Sequence, residues 1–232
     1  MTPTIDIYPI LLSIKVGIIS TIISLVVGTL CAWRMALSKF RGKLLVETIL
    51  TLPLVLPPSV AGYYLLLLMG RGTPWGRWLN ETLNIHLLFT WEAAVIASTV
   101  MGFPLMVKAV EAAMKSVDIE IIESARTLGA NEWRIFWHIL LPCSYRGVIA
   151  GTVLAFARGI GEFGATLMVA GNIPGMTQTL PLALYAAVQT GNESAARLYT
   201  LILTLIAFAV LWAVNFYQTR WIESQPRQRR SS

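Results

Sequence analysis

Apolar runs of membrane-crossing length alternate along this chain with short segments that carry most of its charge. A helix needs about 20 apolar residues to cross a hydrocarbon core. Five segments fit that pattern: residues 10–32, 44–69, 91–107, 147–170 and 198–217. The third is the shortest, and its pattern can continue as a helix through Met114, protruding from the bilayer. Residues 179–189 are also apolar but too few to span, and predict a re-entrant or interfacial piece.

The basic residues predict an orientation. One set of loops carries Arg34, Lys39, Arg41 and Lys43, then Lys108, Lys115, Arg126, Arg134 and Arg146, then Arg220, Arg227, Arg229 and Arg230. The opposite set carries only Arg71, Arg77 and Arg197. The richer side is the cytoplasmic one, so the N-terminus is expected outside and the C-terminus inside. No basic residue precedes the first apolar run, which favours a membrane anchor over a cleavable leader. Trp75, Trp78, Trp91, Trp212 and Trp221 fall near span ends, as an aromatic belt requires. Residues 226–232 are polar and basic and are expected to be disordered.

Composition strengthens this picture. The chain is 56% hydrophobic and 13% charged, against about 25% charged in soluble domains. The net charge of +6 reads as topology information, so no nucleic-acid partner is expected. Cys31 and Cys143 fall on the predicted cytoplasmic side and predict neither a disulfide nor a metal site. No His, Cys and Asp cluster suggests a membrane-embedded enzyme. A phosphate-binding loop needs Gly, four residues, then Gly-Lys-Ser/Thr. The Gly42-Lys43 pair lacks that context, so no ATP chemistry is expected of this chain.

Two features inside the apolar runs carry candidate chemistry. Arg158 lies midway along the fourth run with Glu162 four residues on. A lone intramembrane Arg costs at least ~2.5 kcal/mol, so it needs a partner or water. The spacing lets Glu162 face it from one side of a helix. A self-neutralising structural pair is the simpler reading, and a wet anion path past Arg158 is the alternative. Gly159, Gly161 and Gly164 surround the pair and permit close helix approach or bending. The second feature is proline: Pro53, Pro57 and Pro58 in the second run and Pro104 in the third predict kinks. With Gly161 they are candidate kink or gate positions, or simple packing kinks.

The polar segment 116–142 is the most specific part of the chain. Val117, Ile121, Ala125 and Leu128 recur at helical spacing over 116–128, which predicts one apolar stripe. Gly129 then suits a turn or helix C-cap. Trp133, Phe136, Trp137 and Leu140 form a second amphipathic stretch that Pro142 is expected to end. Within it, Glu123, Ser124, Ala125, three residues, Gly129, nine residues, then Ile139, Leu141 and Pro142 match the EAA signature, with Ser124 in the usual Ala position.

By that signature the chain resembles the permeases of ABC importers. LPLVLPPSVAG, ARGIGEFG and NIPG extend the resemblance over nearly the whole sequence, toward molybdate-importer permeases. Sulfate permeases share the pattern at residues 157–164 and are the alternative. The resemblance implies an all-α polytopic fold of type I importers, five spans in a single transmembrane domain over residues 1–232. It implies that Glu123, Ser124, Ala125, Leu128 and Gly129 couple to an ATPase. It further implies a second copy of the chain, two ATP-binding subunits that hold ATP and Mg, an extracytoplasmic molybdate-binding protein, and the bilayer of the inner membrane. Tungstate, similar in size and charge, can share such a path. An ATP-independent secondary transporter is the remaining alternative; inverted repeats would favour it, and none is visible.

Overall fold

The computed structural model describes residues 6–38, 40–70, 72–82 and 86–222. Every regular element among them is helical. In lipid each backbone polar group must find an internal partner, and a helix supplies those partners locally. The elements are α1 (Tyr8–Leu37), α2 (Lys43–Val55), α3 (Pro58–Met69), α4 (Pro74–Thr82), α5 (Trp91–Lys115) and α6 (Ile119–Thr127). They continue with α7 (Glu132–Cys143), α8 (Tyr145–Ile160), α9 (Gly164–Ala170), α10 (Leu180–Gln189) and α11 (Glu193–Ile222).

Three helices, α1, α5 and α11, are individually long and apolar enough to cross a membrane. The second expected span is not one helix. It consists of α2 and α3, bent by 117° at residues 56 and 57. Pro58 starts α3, where its missing N–H costs nothing, and Leu56 before Pro57 is extended. The fourth expected span is likewise broken, into α8 and α9, with Gly161, Glu162 and Phe163 between them. Two other prolines do not interrupt their helices: Pro53 lies inside α2 and Pro104 inside α5. Helix α7 contains a π turn over Phe136–Leu140, and it ends at Cys143, one residue past Pro142. From there the chain bends by 75° into α8.

Helices α1, α5 and α8 pack on one another and form the centre. Small residues let them approach: a Cβ at Gly102 of α5 would stand 3.0 Å from the Ala155 carbonyl oxygen of α8. Ser98 Oγ of α5 donates to the Gly159 carbonyl at 3.2 Å, near the C-terminal end of α8, where the Glu162 N–H also donates to it. Toward one end of the bundle Leu12, Val16, Ala93, Ala94, Met101 and Val169 form an apolar cluster. Toward the other, Trp33, Met106, Val110, Ile122, Phe136 and Leu140 form a second.

The short apolar stretch after α9 is the helix α10. It packs on α11 and α1, with Leu180, Ala183 and Ala187 buried. Ser13 Oγ of α1 accepts from the Leu180 backbone N–H at 2.6 Å, which pins its first turn. One face of this short helix is thus buried against protein, while Tyr185 and Val188 stay exposed. Helix α4 was not legible in the hydropathy pattern, because its sequence is polar. Residues 223–232, with the expected disordered tail and three of its arginines, lie outside the described residues, as do Lys39 and Arg71.

Candidate functional site

The EAA segment forms a helical hairpin at the end of the bundle reached by the last turn of α5. Asp118 caps α6, its carboxylate accepting from the Glu120 N–H at 2.9 Å. At the other end Gly129 has φ +83°, a conformation open to Gly without strain. The Gly129 N–H donates to Arg126 O at 2.9 Å and the Ala130 N–H to Ala125 O at 3.0 Å. That pair of bonds is the Schellman motif, which stops a helix and turns the chain sharply.

The face this helix buries differs from the expected stripe. Ile122 is the buried residue of α6, with Val117 and Ala125 half-buried against the bundle. Ile121 and Leu128 point the other way, with Ile119, and Leu128 is 88% exposed. Spacing alone could not decide between adjacent isoleucines, since Ile121 and Ile122 both fall near a helical stripe. The result is a short helix with Ile119, Ile121 and Leu128 outward beside the exposed Glu123 and Ser124. Single exposed apolar residues need no explanation, but several on one projecting helix outside the apolar bundle mark an interaction surface.

Arg126, which the sequence offered only as one more positive charge, fastens this hairpin. It donates to Glu123 Oε1 at 2.8 Å on its own helix, and to Glu132 Oε1 and Oε2 at 2.8 and 3.2 Å on α7. Hydrogen bonding to Glu132, then the charges of Glu132 and Glu123, raises the guanidinium pKa further above its already high value. The three-residue Glu123–Arg126 spacing was a readable signal; the fork onto Glu132 depends on the turn at Gly129. Beyond it, Phe136 stacks near Trp33 of α1 at 4.6 Å between ring centroids and meets Trp137 edge-on at 5.2 Å. Trp133 completes the array at 5.6 Å from Trp33. These rings join α7 to the end of α1.

Arg158 and Glu162 are brought together, though not by a continuous helix. Helix α8 ends at Ile160, and Glu162 lies in the break before α9. Arg158 Nη1 stands 2.5 Å from Glu162 Oε2. Glu162 Oε1 accepts from the Ala165 N–H at 2.7 Å. The carboxylate therefore meets a cation and also the positive end of a helix, both of which stabilise its charge. Glu162 is 2% exposed, whereas the Arg158 side chain keeps 28%.

The two proline and glycine breaks meet at this point. A Cβ on Gly62 of α3 would lie 2.7 Å from Ala165 Cα, and one on Gly164 of α9 would lie 2.9 Å from Pro58. The half-helices α3 and α9 thus pack backbone to backbone, each starting at its own break. Gly161 lies in the second break but makes no such approach; its added Cβ would meet only the Ala157 carbonyl at 3.6 Å. Of the expected kink positions, Pro57, Pro58 and Gly161 lie at breaks, whereas Pro53 and Pro104 do not.

A family model described as "Binding-protein-dependent transport system inner membrane component" matches residues 24–223. The chain is 47% identical over 204 residues to "Molybdenum transport system permease protein ModB" of Escherichia coli (strain K12), covering 87% of this chain and 89% of that one. It is 45% identical over 200 residues to the protein of the same name from Haemophilus influenzae, covering 84% and 87%. Among solved structures, a bacterial ABC transporter involved in the import of the acidic polysaccharide alginate superposes with a TM-score of 0.74, covering 92% of this chain and 79% of that one. Its 16% identity makes that a likeness of fold alone. The helical fold, the projecting hairpin and the match over residues 24–223 agree, and the chain belongs to the family of binding-protein-dependent transport system inner membrane components.

Proposed function

We propose that this chain is the membrane permease subunit of an ATP-driven importer that carries molybdate into the cytoplasm. The observation that carries the reading is the projecting α6: an apolar outward face of Ile119, Ile121 and Leu128, ended by the turn at Gly129. Such a face outside the apolar bundle fits a cleft on a soluble partner. Glu123, Ser124, Ala125, Leu128 and Gly129 dock there, and that partner binds ATP and Mg; this chain does neither. The permease relatives at 47% and 45% identity support molybdate as cargo.

In this reading a second copy of the chain completes the pathway, and two ATPase subunits take up the two α6 helices. A molybdate-binding protein delivers cargo on the opposite face. The asymmetry of the basic loops supports a cytoplasmic α6 and an N-terminus outside. Helices α3 and α9, starting at breaks and packed at Gly62 and Gly164, are where the bundle bends as it alternates. Arg158 and Glu162 form a structural pair at that bend.

The test is uptake of labelled molybdate into proteoliposomes holding this chain, its ATPase subunit and its binding protein. ATP-dependent uptake that excess sulfate leaves unchanged is expected. Uptake without ATP would sink the importer reading, and uptake abolished by sulfate but not by tungstate would move the cargo to sulfate.

A further inference from the structure

An apolar groove lies on one side of the bundle, midway between its ends. Helix α11 packs on α10 through Ala195, Tyr199, Leu203 and Ile206, all in its first half. Past that point Phe208, Leu211 and Trp212 are exposed, and α11 leaves a groove of about 290 Å³ against α1 and α8. Ile18 and Ile22 of α1, Val153 and Phe156 of α8, and Val210 and Ala213 of α11 line it. Phe156 lies against α1, its ring so near that a Cβ on Gly17 would stand 3.2 Å away. Thr21 and Thr152 also border the groove, but their hydroxyls are turned onto their own helices. Thr21 donates to the Gly17 carbonyl at 2.6 Å and Thr152 to the Val148 carbonyl at 2.7 Å. The described walls therefore present carbon alone.

That chemistry restricts what fills the groove. Water there would lack polar partners, and an empty groove forfeits its dispersion contacts. Hydrocarbon remains, from a lipid or from a second copy of the chain. A second copy has a broader apolar face to cover on α2, where Leu44 is 77% and Val55 83% exposed. No described residue of α2 lines the groove. What marks the groove for a lipid is the pair of residues below it.

Arg146, Ile149, Val153 and Phe156 follow one another along α8 at three- and four-residue spacing, which puts them on one stripe of the helix. Ile149 is exposed and continues the groove toward the α6 end. Tyr145 and Arg146, both exposed, stand at its foot. The Arg146 guanidinium carbon lies 5.5 Å from the centre of the Tyr145 ring. At 1.5 Å per residue, Val153 and Phe156 are roughly 10 and 15 Å along the helix from Arg146. The hydrocarbon of one leaflet is about 15 Å deep. The stripe thus has the length of one acyl chain, with a cation and a phenol where a phosphate would lie.

We propose that this stripe is a binding site for one anionic phospholipid of the leaflet on the α6 side. An acyl chain occupies the groove between α1, α8 and α11, and the phosphate accepts from Arg146 and from the Tyr145 hydroxyl. Five N–H donors let a guanidinium serve a phosphate beside its other contacts. The chain in the groove adds contact but no preference, because the surrounding lipid is as apolar as the groove. Preference for an anionic lipid comes from Arg146, a basic residue at the membrane surface. The proposal needs the chain to span a membrane and does not depend on which anion it carries.

The test uses the complete transporter in proteoliposomes with a trace of a phospholipid bearing a diazirine midway along one acyl chain. The probe is phosphatidylglycerol or phosphatidylcholine; light fixes it to the side chains it touches, and peptide mass spectrometry locates them. At Ile22, Val153 and Phe156 the phosphatidylglycerol probe is expected to label about fivefold more than the phosphatidylcholine probe, the ratio one basic residue gives at an anionic surface. Leu205 and Phe208, on the open face of α11, should not distinguish the probes. Arg146→Gln should abolish the preference, and Arg146→Lys should keep most of it. Equal labelling by the two probes in the groove, or a preference that survives Arg146→Gln, overturns the proposal. Labelling of Phe208 with none in the groove would show that protein covers it, and overturns the proposal too. Should Arg146→Gln not assemble, Val153→Trp fills the groove and leaves the charge in place. An undiminished phosphatidylglycerol excess at Ile22 in that variant overturns the proposal equally.

Discussion

Glu162 is bound at both carboxylate oxygens, to Arg158 Nη1 at 2.5 Å and to the backbone N–H of Ala165 at 2.7 Å. Its role is therefore double, since it neutralises an intramembrane Arg and caps the half-helix α9. Removing Arg158 does not strip Glu162 of every partner, and removing Glu162 loses more than an ion pair.

Arg158→Ala is expected to destabilise the subunit by about 3 kcal/mol, the lower end for breaking a buried pair, because the Ala165 N–H still holds Glu162. Arg158→Leu with Glu162→Gln keeps an acceptor for that N–H and should assemble like wild type. Replacing Glu162 by Leu in the same background should cost about 1 kcal/mol more, as a lost cap does. Thermal aggregation of the detergent-purified complex ranks the three. Most uptake should survive in the Leu/Gln variant. Normal assembly with little transport would show instead that the guanidinium serves the passing anion.

Gly129 separates strain from steric fit. Nothing lies within 4 Å of a Cβ added there, so its φ of +83° is the obstacle to substitution. A β-branched residue in that conformation costs about 1–3 kcal/mol, while Asn tolerates it. Gly129→Val should therefore lower uptake per ATP, and Gly129→Asn should largely keep it. Equal losses in both variants would mean that side-chain volume at the partner, and not the turn, is what matters.

Gly62 tests the contact between the two breaks. An added Cβ would stand 2.7 Å from the Ala165 backbone, and overpacking of this kind costs about 1–3 kcal/mol. Gly62→Ala is expected to lower the thermal stability of the complex, while Gly72→Ala, where nothing lies within 4 Å of an added Cβ, should not. Indistinguishable melting of the two variants would argue against close packing of α3 on α9.

Orientation is testable with single cysteines. In a chain without its native cysteines, Ser124→Cys should react with a membrane-impermeant thiol reagent only from the cytoplasmic side, and Asn80→Cys only from outside. Labelling of Ser124→Cys from outside intact cells would invert the topology and remove α6 from the reach of ATPase subunits.

Local order was legible in the sequence because the determinants are local. Lipid obliges the apolar runs to be helices, so α1, α5 and α11 follow from composition, with α5 running to Lys115 as its pattern allowed. The break at Pro57 and Pro58, the turn at Gly129 and the Arg158–Glu162 spacing are properties of a few neighbouring residues. What the tertiary structure alone decided depends on partners distant in the chain. Periodicity could not choose Ile122 over Ile121 as the buried residue of α6, because that choice is made by the helices it leans on. The 117° bend exceeds anything proline chemistry fixes by itself; the packing of Gly62 on Ala165, residues from two separate breaks, sets where α3 lies. Pro104, equally a kink candidate, stays within α5, which α1 and α8 flank.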